Sequence, residues 1–222
     1  SATHAHQSWE CADVLLGEGW WPGEGLPAPR LNLTPRDLRA ACRAFDLPPD
    51  GQRIGVIPGA ARGESKRWPF FGEAAARLVR EIDGFRFVVF GTASEAALCR
   101  QVARTIGPAA LCVAGQTSLP QFAALLATCR VVLCNDSGGM HLAAALDSPV
   151  VAVYGLTDPD STGPLGCNHT LLRPAGAAGR RAIARRDPEA VRALRSIPPE
   201  RVLMALRQVL RKPRHPVSAE EP

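Results

Sequence analysis

The chain has 222 residues, is 46% hydrophobic and 21% charged, and carries a formal net charge of +5. That is room for one full α/β domain plus some extra structure, with the composition of an ordinary globular protein. The absence of any run of about 18 apolar residues excludes a transmembrane helix, and the first residues lack the basic-then-apolar order of a secretory signal. The chain starts without Met, so an upstream segment is expected to be missing. Its 7 cysteines are scattered, odd in number and free of any CxxC pair. They read as small buried hydrophobes of a reducing compartment, not as a disulfide frame or a zinc site. The positive excess is uneven: residues 180–222 hold 11 Lys/Arg against 5 Asp/Glu. A basic tail attracts nucleic acid or anionic lipid. With no aromatics between the arginines, nucleic acid is not expected, and a solvated helical face is the simpler reading.

Residues 1–32, with Trp9, Trp20, Trp21 and a Pro/Gly-rich stretch, read as an incomplete element and a linker. Thr34 and Pro35 open a helix that Pro48-Pro49 ends. Strands and helices then alternate. Strands are expected at 53–57, 85–90, 110–113, 131–134 and 150–154, with a sixth at 170–172. Helices are expected at 69–82, 94–106, 119–128 and 138–146. The basic tail adds one helix starting at Asp187-Pro188 and another over 198–210. Near-continuous apolar strands joined by short helical crossovers predict an α/β fold, a Rossmann-like parallel sheet with helices on both faces. The predicted organisation is a remnant and linker over 1–50, a nucleotide-binding domain over 51–175 and a basic helical tail over 176–222.

Ligands of such sheets bind at the carboxyl ends of the strands, where helix N-termini receive phosphate. Four loops open there. After the strand at 131–134 comes Asn135-Asp136-Ser137-Gly138-Gly139-Met140-His141. Backbone N–H groups from Ser137 to Met140 suit a diphosphate, Gly138 and Gly139 admit close approach, Asp136 holds sugar hydroxyls or fixes the loop, and His141 donates to a phosphate oxygen. The plainer alternative is a helix capped by Asp136 or Ser137 over a core histidine. After strand 53–57 comes a loop with Lys66, one of only two lysines in the chain. A compact cation there suits a departing diphosphate, against an ordinary exposed lysine. After strand 85–90, Glu95 either accepts from a ribose or stabilises its own helix N-terminus. After strand 150–154, Thr157 either lines a ligand or belongs to a plain turn. Convergence of these loops points to a nucleotide or nucleotide-sugar, and no cofactor is expected.

Several segments together resemble the carboxyl-terminal half of glycosyltransferase family 9, the heptosyltransferases: Pro58-Gly59-Ala60 with Lys66-Arg67-Trp68-Pro69, Val89-Phe90-Gly91, residues 114–119, residues 135–141 with Ala143-Ala144-Ala145, residues 149–155, and residues 197–202. The resemblance implies a GT-B fold whose donor-binding domain this chain supplies and whose amino-terminal acceptor domain, with the catalytic base, is largely missing. It implies a bacterial enzyme at the cytoplasmic membrane face, moving heptose from an ADP-heptose donor to the lipopolysaccharide inner core without an essential metal. By position, Lys66 is then the donor-phosphate lysine, Asp136, Gly138, Gly139, Met140 and His141 line heptose and diphosphate, and Glu95 is the ribose ligand. The basic tail then lies near anionic lipid. The alternatives are a GT-B transferase or epimerase using a UDP-sugar, and a nucleotide-binding module without chemistry.

Overall fold

A computed structural model describes residues 28–166, 168–176, 179–180 and 183–213. The tryptophan-rich start, Cys11, Cys167 and the chain beyond 213 lie outside the described residues. The first described element is α1 (Pro35–Ala44), where Thr34 and Asp37 cap each other reciprocally, as its sequence signature predicts.

Six strands form one parallel sheet: β1 (Gln52–Ile57), β2 (Phe85–Val89), β3 (Ala110–Cys112), β4 (Val131–Asn135), β5 (Val150–Val153) and β6 (His169–Leu172). Their spatial order is β3-β2-β1-β4-β5-β6. The chain therefore builds outward from β1, returns to place β4 on its other side, and builds outward again. The reversal lies between β1 and β4, whose registers match Ile54 with Val131 and Val56 with Leu133. In an open parallel sheet that reversal leaves a crevice at the carboxyl edge, because the loops on either side turn away from each other.

Side-chain alternation along each strand sorts the core into two layers. Ile54, Val56, Val131, Leu133, Val151 and Val153 point to one face. There they meet α2 (Phe71–Val79), α3 (Ala96–Ile106) and α8 (Pro199–Arg211). Val132, Cys134, Val150 and Ala152 point to the other, under α1, α4 (Leu119–Ala127) and α5 (Gly138–Ala145). Two further helices, α6 (Pro159–Thr162) and α7 (Pro188–Arg195), follow β5 and β6. With both faces covered, the central strands are apolar almost throughout, the pattern that predicts a parallel sheet.

Parts of the segments on either side of residues 51–175 share this core. Ala41 and Cys42 of α1 and Leu47 are buried in the second layer, and the Leu31 amide donates to the Ala145 carbonyl at 2.8 Å. The tail supplies Ile197, Val202, Leu203 and Leu206 to the first layer. Its arginines are partly spent within the molecule: Arg207 clasps both oxygens of Glu81, and Arg201 donates to the Arg173 carbonyl. None of the described helices is long and apolar enough to cross a membrane.

Candidate functional site

The loops after β1 and β4 face each other across the topological reversal, and buried Asn135 joins them. Its Oδ1 accepts from the Trp68 amide at 2.9 Å, while Nδ2 donates to the carbonyls of Pro58, at 2.9 Å, and Gly59, at 3.3 Å. The last residue of β4 thus holds both ends of the loop that follows β1. Trp68 is itself fixed by its indole N–H, which donates to the Ile197 carbonyl at 2.9 Å, and by edge contacts with Phe70 and Phe71.

Within this frame a 3-10 turn, Gly63–Lys66, presents the lysine. Gly63 begins it at φ 74, a conformation that favours glycine. Two contacts from the segment ahead of α7 strap the turn down. The Asp187 amide donates to buried Ser65 Oγ at 2.7 Å, and Arg185 donates to the Ala61 carbonyl at 2.8 Å. Lys66 Nζ then reaches Asp136 Oδ2 at 2.5 Å, with side-chain exposures of 17% and 8%. The pair spans the reversal, and it is shielded enough to be felt.

Asp136 is committed to Lys66, and Ser137, the residue preceding α5, makes no side-chain capping bond. The Ser137 hydroxyl is buried and has no hydrogen-bond partner. The capping alternative is therefore not what this turn does, and the helix keeps the positive end of its dipole at the rim. At Gly138 a Cβ would meet nothing within 4 Å, so the backbone is approachable. At Gly139 it would stand 2.7 Å from Ile57 Cδ1, so this glycine lets helix and sheet pack closely rather than admitting a ligand. His141 lies on the exposed side of the same helix.

Glu95 sits at the same rim but serves its own turn: Oε2 accepts from the Thr92 amide and hydroxyl, each at 3.0 Å. Oε1 faces Arg67 at 3.6 Å. The carboxylate lies so close over Gly59 that a Cβ there would stand 2.2 Å from Oε1. The loop after β2 is thereby drawn onto the loop after β1. Two expected ligand-lining side chains are not at the surface. Met140 is fully buried, its sulfur accepting from the Tyr154 hydroxyl at 3.3 Å, because position 140 turns inward on α5. Thr157 is 2% exposed and forms a bridge with Arg180. Both belong to the framework. The sequence reading missed Asn135, Ser65 and Asp187 as organisers. Only Asn135 carried a signal, a lone amide ending a fully apolar strand.

Chemically the rim offers a cation held by a carboxylate, a second cation in Arg67, and an uncapped helix N-terminus. These groups suit a ligand that is both anionic and hydroxylated. Among the described residues no group of three His, Cys, Asp or Glu could hold a metal ion.

A family model described as glycosyltransferase family 9 (heptosyltransferase) matches residues 23–183. The chain belongs to that family. Among curated relatives, lipopolysaccharide heptosyltransferase 2 of Salmonella typhimurium is 37% identical over 151 residues, covering 65% of this chain and 43% of that protein. Its Escherichia coli counterpart is 36% identical over the same length. The solved Escherichia coli ADP-heptose lipopolysaccharide heptosyltransferase II superimposes with a TM-score of 0.72 at 32% identity, over 85% of this chain and 55% of that one. A family 9 protein from Veillonella parvula, at 22% identity and a TM-score of 0.73 over 92% of this chain and 60% of that one, shares the fold. The chain thus spans less than half the length of these curated family 9 relatives.

Proposed function

We propose that this chain is the donor-binding half of a heptosyltransferase that moves heptose from an ADP-activated donor to the lipopolysaccharide inner core. The observation that carries this reading is the Lys66–Asp136 pair beside the uncapped start of α5, at the reversal of the sheet. The donor's diphosphate lies against Lys66, His141 and the first amides of α5, and Asp136 and the open backbone at Gly138 face the sugar. The acceptor hydroxyl displaces the diphosphate at the anomeric carbon with inversion. Lys66, His141 and the helix N-terminus stabilise the charge that gathers on the leaving group. The base that takes the acceptor's proton is assigned to no residue of this chain. The enzyme works on the cytoplasmic side, and exposed Arg192, Arg195 and Arg211 favour peripheral contact with an anionic membrane.

Calorimetric titration with ADP, UDP and GDP tests the donor. ADP is expected to bind tightest, and Lys66→Ala to weaken it by about tenfold or more, the loss of one charge-assisted contact to phosphate. Tighter binding of UDP would favour a UDP-sugar transferase or epimerase, and no binding of any nucleotide would remove the reading. Heptose transfer with and without a supplied amino-terminal half separates a catalyst from a binding module.

A further inference from the structure

The lysine that should receive a diphosphate is already neutralised. Lys66 Nζ and Asp136 Oδ2 are 2.5 Å apart, largely shielded from water, and joined across loops 70 residues apart in the chain. An arriving diphosphate has to share Lys66 with a carboxylate of its own sign, or take it. Which of the two happens depends on what else the ligand brings. A nucleoside diphosphate carrying a sugar brings hydroxyls, which donate to a carboxylate and satisfy it once the lysine is drawn away. A bare nucleoside diphosphate brings only the hydroxyls of its ribose, at the end away from the terminal phosphate, and that phosphate has one more ionisable oxygen than the sugar diester has. It therefore sets more negative charge against Asp136 and leaves that carboxylate without a donor. The orphaned Ser137 hydroxyl next door marks the paired state as one with a hydrogen bond still unmade.

Resting on the donor-site reading above, we propose that Asp136 is a specificity-determining counter-ion. In the empty site it holds Lys66. With a sugar-linked diphosphate bound it turns to the sugar's hydroxyls and releases the lysine to the phosphates. After transfer the hydroxyls have left with the sugar and the diphosphate has gained a charge, so Asp136 reclaims Lys66 and drives the nucleotide out. The same carboxylate thus selects the loaded donor over its spent form and speeds product release.

The test measures binding of ADP and of ADP-heptose to the wild-type chain and to Asp136→Asn, which keeps the shape and removes the charge. The variant is expected to bind ADP about tenfold or more tighter and ADP-heptose more weakly, so that the wild-type preference for the sugar-bearing ligand is lost or reversed. Lys66→Gln, which leaves Asp136 charged and unpaired, is expected to lose more affinity for ADP than for ADP-heptose. The double variant should recover part of the ADP loss, a coupling between the two positions. If Asp136→Asn does not fold, the Lys66→Gln comparison decides by itself. Equal loss of both ligands in either variant, or unchanged ADP affinity in Asp136→Asn, would overturn the counter-ion role while leaving the donor site standing. Failure of the wild-type chain to bind either ligand would overturn the donor site and this role with it.

Discussion

At the scale of single residues the rim is organised by amides and hydroxyls more than by the charges that attract notice in the sequence. Asn135 is the clearest case, satisfying a buried amide and two buried carbonyls with one side chain. Asn135→Ala leaves the Trp68 N–H buried without an acceptor. It is expected to cost about 1–3 kcal/mol in urea unfolding and to weaken nucleotide binding through the freed loop. Asn135→Asp is not a rescue, since a carboxylate cannot donate to the Pro58 and Gly59 carbonyls. Legibility at this scale followed chemistry. Lys66 and Asp136 were readable because charged groups at strand ends have few other uses, and the structure brings them together. Glu95 was ambiguous because a capping partner and a ribose acceptor are the same residue type in the same place, and its Oε2 does the capping. Met140 was misplaced because a loop motif gives no phase: only once α5 is known to start at Gly138 does position 140 fall on the buried side.

Among the elements, the carboxyl-terminal helix is amphipathic, with Val202, Leu206 and Val209 on its inner face. Its basic composition describes only its outer face. On the inner face Val202 and Leu206 are wholly buried against α2 and the sheet. Leu206→Ala is expected to lower stability by about 2–5 kcal/mol, read as a shift of the urea midpoint. A loosely attached tail would show no shift. Most elements were legible from their apolar periodicity, and α1 also from its cap at Thr34. Boundaries slipped where tertiary contacts decide them. The helix expected from residue 69 begins at Phe71, behind Phe70 in a non-helical conformation. The helix expected from residue 94 begins at Ala96, behind a 3-10 turn, Ala93–Glu95, that Thr92 opens. β4 runs one residue further, to Asn135, where pairing with Val153 holds it.

For the molecule as a whole, the strict alternation of strand and helix was enough to predict a parallel sheet covered on both sides. The strand order that creates the crevice was not, because periodicity carries no information about which strands are neighbours. Stability of the assembled sheet should depend on pH through His169 on β6, whose pKa burial holds below its ordinary value of 6.5. The unfolded chain takes up the proton first as pH falls, so stability is complete above about 6.5 and declines as the pH drops towards the folded-state value. Urea midpoints between pH 7.5 and 5.5 should therefore fall more steeply for the wild type than for His169→Gln; equal slopes would assign the decline to other groups. The strap over the lysine turn has a consequence in time. Its anchors, Arg185 and Asp187, bond to residues 124 and 122 positions earlier. On a ribosome, β1 and its loop emerge long before those anchors exist. The lysine turn thus stays unbraced until late in synthesis, after all six strands of the sheet have emerged.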